Sequence, residues 1–541
     1  MTDRQIISVR STKGDISLKR DSKLQTLLKK IKAKNKSSEQ KSYGNPKQFS
    51  KKIHENERNL RQILGTSPDV IYRTFPIKYE NARTREALII YIDGLVFEMA
   101  VRESVLEPLV ARPFKENPQE ALSQLHERIS TKRITEESNI SKAVEEILKG
   151  KLLLIIDDFD MGLIVHVEAF EFLRSVQEPD SEKTVRGARD GFIESIAVNM
   201  SLLRRRISHP ALQFDLLKVG EISQTTIVVA YLKGIADPEL VNHVKERIQQ
   251  IRMDAIQSSG DIEQLIEDHP YSIFATIGNT ERPDNASALL LNGRIIILVD
   301  GDPFSLYVPL FFLDNIKNVE DYNSRPFYSS FIRLLRFFAF LISCTFPALY
   351  LSALNFNKET IPSDLIVPII QAREMVPFSL WMEVLFMILM FEVVREAGVR
   401  LPQQVGAALS IVGALILGQV AVQAGIVGAP TIIVISVSYI AAFIITPIVD
   451  IATLLRIGFL IASALFGPFG LFVAMLGLMT HMVSLTSIGV PYMAPLAPAH
   501  FRDFLDSIIR APTKWLKTRP KGLPNKRPRK IHSLPDTGEK K

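Results

Sequence analysis

The sequence predicts a soluble α/β N-terminal domain of two subdomains followed by an all-α polytopic membrane domain, on three observations. Residues 53–330 alternate short, β-rich apolar runs with stretches of helical period. Residues 331–500 hold three blocks, 337–354, 401–449 and 457–501, without an Asp, Glu, Lys or Arg, and about 20 apolar residues carry a helix across a bilayer. Basic residues crowd 1–52 and 501–541, so the positive charge of a chain of net charge +7 sits at its two ends. A mean hydropathy of only +0.13 conceals the division, because a polar half is averaged with an oily one.

In chain order, residues 1–52 read as a disordered basic arm, since KKIKAKNKSSEQKSYGNPKQ lacks the apolar content to bury anything. Three apolar runs then end in an acid or acid–Gly turn: ALIIYIDG at Gly94, KLLLIIDDFD at Asp160 and RIIILVDG at Gly301. Each predicts a buried strand closed by a turn, with the glycines free to take turn geometry. LQFDLLKV and TTIVVAYLKG add two strands, and residues 238–252 form an amphipathic helix opened by Pro238. A subdomain boundary falls within 134–151 or after Ala169, unmarked by any Pro/Gly-rich linker. Asp157, Asp158 and Asp160 have the chemistry of cation ligands, but an acidic strand-end turn is the commoner explanation.

The membrane domain, 331–500, opens with a crossing at 337–354, and residues 379–394 make a second that carries Glu383 and Glu392. Block 401–449, broken by AGIVGAP, is long enough for two crossings. Block 457–501 crosses twice or, broken at Gly467, Pro468 and Gly470, forms a re-entrant hairpin. The count is six in the first case and four if one pair only dips in. Orientation follows from Lys and Arg near span ends, which stay cytoplasmic. Arg333 and Arg336 precede the first span, Arg395 and Arg400 follow the second, Arg456 follows the fourth, and the tail at 501–541 is rich in both residue types. Both termini are therefore expected in the cytoplasm. No cleavable signal peptide is expected, and the single cysteine, Cys344, gives no disulfide framework.

Phosphate-binding glycine loops, HExxH, CxxC and GxSxG are all absent, and the histidines are isolated. The expectation is a non-enzyme without cofactor or metal. Basic ends beside a membrane point to membrane lipids as partners instead of nucleic acid. A charge at mid-bilayer costs roughly 3 kcal/mol on insertion scales, so Glu383, placed deepest in its span, is the first candidate for an ion path or subunit contact. Glu392 stands three residues before Arg395, close enough to pair, which is its plainer explanation. Gln419 and Gln423 share a helix face, for interhelical hydrogen bonds or pore lining. In the soluble domain Glu178, Arg186, Arg189 and Asp190 stand before a helix with apolar positions Phe192, Ile196, Met200 and Leu203, closed by Arg204, Arg205 and Arg206. Glu281, Arg282 and Asp284 precede another helix. Both clusters are candidate ion-pair networks or interfaces, with capping and dipole compensation as the simpler alternative.

Several of these segments carry a resemblance: VRGARDGF, NTERPD with ALLLNGRIIILVDG, SSFIRLLRF, VPF, FEVVREAGVRLPQQVG and VGALILGQVAVQAGIV, spread over residues 59–512. Together they resemble the signature run of the GerA family of spore germination proteins, specifically the A subunit of a nutrient germinant receptor. The resemblance implies a multi-pass subunit of the spore inner membrane, with its N-terminal domain and C-terminal tail on the cytoplasmic (core) side. As partners it implies a transporter-like B subunit implicated in sensing nutrients, a lipoprotein C subunit, and further A subunits in a homo-oligomeric ring, taken as a pentamer, that acts as a nutrient-gated cation channel. Beside it stand the related stage V accessory channel component and a non-conducting membrane scaffold. No pore-lining residue is carried over from the family.

Overall fold

The computed structural model describes residues 48–81, 83–115, 118–129, 133–167, 178–179, 181–184, 186–400 and 416–530. The expected basic arm up to residue 47 and the tail from 531 lie outside the described residues. The chain divides into two compact units, the first running to Phe170 with residues 208–210, the second holding the rest.

In the first unit β1 (Val70–Lys78), β2 (Thr84–Ile92), β3 (Ile134–Glu137), β4 (Leu152–Ile156) and β5 (Gly162–Val165) form an antiparallel sheet in the order β1-β2-β4-β5-β3. Side chains alternate across a strand. Leu88, Ile90, Leu153 and Ile155 face α1 (Ile53–Leu64) and α3 (Ile140–Leu148). Ile89, Tyr91, Leu152 and Leu154 face α2 (Pro118–Arg128) and the helical stretch at 98–110. With both faces covered, β4 can read LLLII and bury every residue. Phe49 is buried and Gln48 bridges to Asn139, so ordered chain begins before residue 53, where the arm was expected to run on. Asp157 accepts the Ile53 N–H at 3.1 Å and Asp158 pairs with Arg85 at 3.2 Å, which accounts for two of the three clustered acids without a cation.

The second unit repeats the plan. Its strands β6 (Leu212–Val219), β7 (Thr225–Leu232), β8 (Gly278–Thr280), β9 (Ile295–Val299) and β10 (Ser305–Val308) stand in the order β6-β7-β9-β10-β8. Position by position this is the order of the first sheet. The glycines agree too: Gly94 and Gly234 follow the second strand of each sheet, and Gly150 and Gly293 precede the fourth, all four with positive φ. ILKGKLLLIID and LLNGRIIILVD are the corresponding sequences. Ile227, Val229, Ile295 and Ile297 pack on α5 (Pro238–Gln250) and α6 (Ser259–Ile266). Val228, Ala230, Ile296 and Leu298 pack on α4 (Ile196–Arg206) and α7 (Pro283–Asn292). Helix α5 starts as its sequence predicts, with Pro238 in the first turn and the Asp237 side chain accepting the Glu239 N–H. Helix α4 starts later than predicted, leaving Phe192 buried ahead of it.

The charge-poor half comprises α8 (Pro326–Asn355), α9 (Leu380–Arg400), α10 (Ala429–Phe443) and α11 (Val449–Ser484), with short helical turns at Ile416–Val420 and Ala421–Gln423. Helices α8 and α11 are long and apolar enough to cross a membrane. Helix α8 begins ahead of residue 337 because buried Asp321 pairs with Arg333 at 2.8 Å and Arg336 at 3.0 Å, so two charges ride on its early turns. Arg456 Nε donates to Ser343 O and Ser463 Oγ to Ala348 O, both at 2.8 Å, so α8 and the first arm of α11 run the same way, away from the second sheet. At Gly467, with φ 61° and ψ −144°, α11 folds back: a Cβ on Gly470 would lie 2.2 Å from Ala462 O, and the tip packs on Phe356 beyond the end of α8. The second arm returns to the sheet, where His481 Nε2 is 3.0 Å from Ser272 Oγ. Helix α10 runs opposite to α8, with Tyr350 Oη 3.3 Å from Thr431 Oγ1 near its start, and α9 runs beside α10 in the same sense.

One sequence expectation changes here. Block 457–501 is not all membrane helix: beyond Ser484 the chain forms β11 (Thr486–Ser487) and β12 (Val490–Pro491), and Leu485, Ser487, Ile488, Tyr492 and Ala494 are buried in the second unit. Pro491, Pro495 and Pro498 lack the N–H a helix needs, and an uncharged run satisfies a protein interior as well as lipid. The basic tail, as far as it is described, is not free: Leu523 is buried, Lys526 N donates to Ile235 O at 3.1 Å, and Arg519 Nε to Leu291 O at 2.7 Å.

Candidate functional site

Among its described residues the helical half holds two polar clusters, one at the end distal to the second sheet and one proximal to it. At the distal end Glu383 lies in the first turn of α9, 1% exposed. Its Oε2 accepts from Arg373 Nε at 3.1 Å, and its Oε1 accepts the Gly428 N–H at 2.8 Å, where α10 begins. A carboxylate is stabilised by a guanidinium and a helix N-terminus together. This corrects the mid-span placement expected of Glu383: it closes a clamp at a helix end. Gly428 is required there, because a Cβ would lie 2.9 Å from Arg373 Cγ.

The proximal cluster is larger. Glu392 pairs with Arg395 one turn on, and Arg395 Nη1 also donates to Asp450 at 2.9 Å. The other Glu392 oxygen accepts from Tyr439 Oη at 3.1 Å and Thr453 Oγ1 at 3.3 Å. Three helices, α9, α10 and α11, thus meet on one carboxylate. Arg456 lies over the Tyr439 ring, 4.1 Å from its centroid, and is fully buried. Its expected place was a loop after the fourth span; the structure puts it inside α11. Gln419 and Gln423 join neither cluster, and both are exposed without a side-chain hydrogen bond among the described residues.

In the second α/β unit the charged residues around NTERPD separate into roles. Arg282 is 1% exposed and donates to Asp284 at 2.7 and 3.0 Å, to Glu182 O at 3.0 Å, to Thr184 Oγ1 at 3.2 Å and to Ala188 O at 2.9 Å. It therefore pins the loop carrying VRGARDGF. Asp190 takes a forked pair of bonds from Arg206, at 2.5 and 2.7 Å, which ties the loop to the end of α4. Glu281 supports the same loop, its carbonyl accepting the Phe192 N–H at 2.7 Å and its side chain the Ser181 N–H at 3.4 Å. Glu178 and Arg189 are 4.0 Å apart, and Arg186 is exposed with its carbonyl held by Asn323.

Two further carboxylates are held by buried charges in this unit, and the second of them joins it to the helices. Burial alone would raise the Asp314 carboxyl, but Arg294 at 2.6 Å and Lys317 at 2.9 Å hold it at about 2. Asp268 is opposed by burial in the same way, yet Gly489 N–H at 2.8 Å, Thr486 Oγ1 at 2.6 Å and Arg247 at 2.6 Å keep its pKa below the usual range. Asp268 thereby latches the hairpin that follows α11 to the end of α6.

Sequence reasoning brought Glu392 and Arg395 together and found the Arg282–Asp284 pair. It missed Arg373, Tyr439, Asp450, Thr453 and Arg456, whose partners lie on other helices. The one available signal was Arg456 itself, an isolated charge between long uncharged blocks.

The family model described as "Bacillus/Clostridium GerA spore germination protein" matches residues 58–522. "Spore germination protein KA" of Bacillus subtilis (strain 168) is 40% identical over 481 residues, covering 88% of this chain and 88% of that protein. "Spore germination protein GerLA" of Bacillus cereus is 36% identical over 472 residues, covering 87% and 95%. A crystal structure of the N-terminal domain of the A subunit of the Bacillus megaterium spore germinant receptor GerK3 aligns with 50% of this chain and 99% of its own, at 32% identity and a TM-score of 0.39.

Proposed function

This chain belongs to the GerA family of spore germination proteins, and from that premise we propose that it is the A subunit of a nutrient germinant receptor that conducts cations when nutrient is sensed. Copies of the chain form a ring, taken as a pentamer, in the spore inner membrane. The α/β units and the tail face the core, a transporter-like B subunit senses nutrient, and a lipoprotein C subunit completes the receptor. Six crossings are assigned: α8, α9, α10 and the two arms of α11, with one more placed in block 401–449 ahead of α10. Gln419 and Gln423, exposed and without a side-chain hydrogen bond among the described residues, are assigned to the path, while Glu383, Glu392 and Arg395 hold helices together. The loop pinned by Arg282, with Arg186 and Arg189 exposed on it, is assigned to contact between subunits.

One observation supports the reading most. The core beneath β7 and β9 continues through Phe312, Phe340, Cys344, Ile448, Phe459, Met482 and Tyr492 into the helices without a break. A packed interior transmits displacement, so a shift in the second α/β unit moves α8 and α11. A mere anchor has no need of that continuity. The test is deletion of the gene: spores lose cation release toward one class of nutrient and regain it with the restored chain. Release that is unchanged for every nutrient would refute the receptor reading, and loss for all nutrients alike would favour the accessory-channel reading.

A further inference from the structure

We propose that Arg456 is a second partner for Glu392, and that the helices have an alternative state in which Glu392 leaves Arg395 and pairs with Arg456. The idea rests on the conducting reading above only for its physiological readout. Arg456 is fully buried, and only its Nε is bonded, to Ser343 O at 2.8 Å. Among the described residues, Nη1 and Nη2 have no partner. A guanidinium keeps its charge at any physiological pH. Among the described residues this buried cation thus has no carboxylate partner, and beside the Ser343 carbonyl it has the Tyr439 ring, 4.1 Å from Cζ.

The missing carboxylate lies at the other edge of that ring. Tyr439 Oη is 3.1 Å from Glu392 Oε2, so Glu392 and Arg456 share one tyrosine without a bond between them. Thr453 is 3.3 Å from the same oxygen, and it stands three residues before Arg456 on the same helix face. Three residues of α-helix rise about 4.5 Å. A slide of that size by the first arm of α11 past α9, toward the second α/β unit, puts Arg456 where Thr453 now stands. One-turn ratchets between packed helices are an established form of two-state switch. Asp450 rides on the arm that slides, so Arg395 gives up both of its carboxylates in the second state and holds the helices in the first. The second arm of α11 ends at the Asp268 latch, so the arm that slides belongs to the hairpin that the α/β unit holds.

The exchange gives opposite signs for the two arginines. In assembled receptors on whole spores, with chain levels checked by immunoblot, Arg456→Gln slows nutrient-triggered cation release by about tenfold, within the range that coupled charged residues show. Arg456→Lys keeps most of the rate, and Arg395→Gln raises release without nutrient. In a Glu392→Gln chain, Arg456→Gln has no further effect. A normal rate from Arg456→Gln at normal chain level, or additive effects of Glu392→Gln and Arg456→Gln, overturns the exchange. If a variant fails to assemble, spin labels at Leu389→Cys and Leu454→Cys, both exposed positions, in a Cys344→Ser chain report the slide directly. With a mixture of amino acids and sugars as trigger, the purified receptor should show a distance change of up to about 4.5 Å. An unchanged distance refutes the exchange even if release is normal. A changed distance without cation flux refutes the channel reading and leaves the exchange standing.

Discussion

Arg282 directs its guanidinium to one carboxylate, two carbonyls and a hydroxyl, and so turns a charged loop into fixed structure. Its partner Asp284 was legible because it is two residues away; the carbonyls of Glu182 and Ala188 were not, being remote in sequence. Glu383 gives the same lesson, since Arg373 and Gly428 reach it across a turn and from another helix. Charge in a sequence signals cost, but not depth, which is why Arg456 passed for a loop residue. Glu263 on α6 carries a pH effect of definite sign. Burial, and then Glu267, raise its pKa from 4.5 to about 7. The folded state therefore keeps a proton that the unfolded chain releases, and stability falls as pH rises from about 4.5 to about 7. Allowing for solvent screening at a partly exposed site, Glu263→Gln should stabilise the protein by about 1–2 kcal/mol above pH 7 and change little below pH 4. Denaturant midpoints of the full chain at pH 4 and pH 8 check this; an equal shift at both would show that Glu263 is not buried as described.

At the scale of elements, all five strands singled out from the sequence are present, because short β-rich apolar runs bounded by turn residues have few other solutions. Their shared order in the two sheets was not recognised: the acid–Gly endings were read as separate turns and never aligned with each other. The oily segments have helical counterparts in α8, α9, α10 and α11, but the boundaries moved wherever ion pairs let charge into a helix, as at Arg333 and Arg336. Gly467 and Gly470 resolve the last block as a hairpin, with φ at Gly467 in a region open essentially to glycine alone. Gly467→Ala should cost about 1–3 kcal/mol, read as a lowered unfolding midpoint of the purified protein in detergent. An unaltered midpoint would mean that α11 does not turn back at that residue.

For the molecule as a whole, the sequence shows a soluble half and an oily half, and the structure joins the second α/β unit to the helices by a common interior. Composition could not reveal this, because residues 485–497 look like membrane and pack as protein. The joined core, the Asp268 latch and the Asp321 pairs give the α/β half direct purchase on α8 and α11. The central claim is that these helices surround a cation path in the assembled receptor. Cys344 is the chain's single cysteine and is buried, so a Cys344→Ser background leaves no competing thiol. Cysteines are placed singly at residues 416–423, and an impermeant thiol reagent is applied to sealed vesicles holding the assembled receptor while nutrient-triggered cation flux is recorded. The account predicts block at Gln419→Cys and Gln423→Cys, four residues apart on one face, and normal flux from the other faces. Flux that no position in 416–423 can block would contradict it.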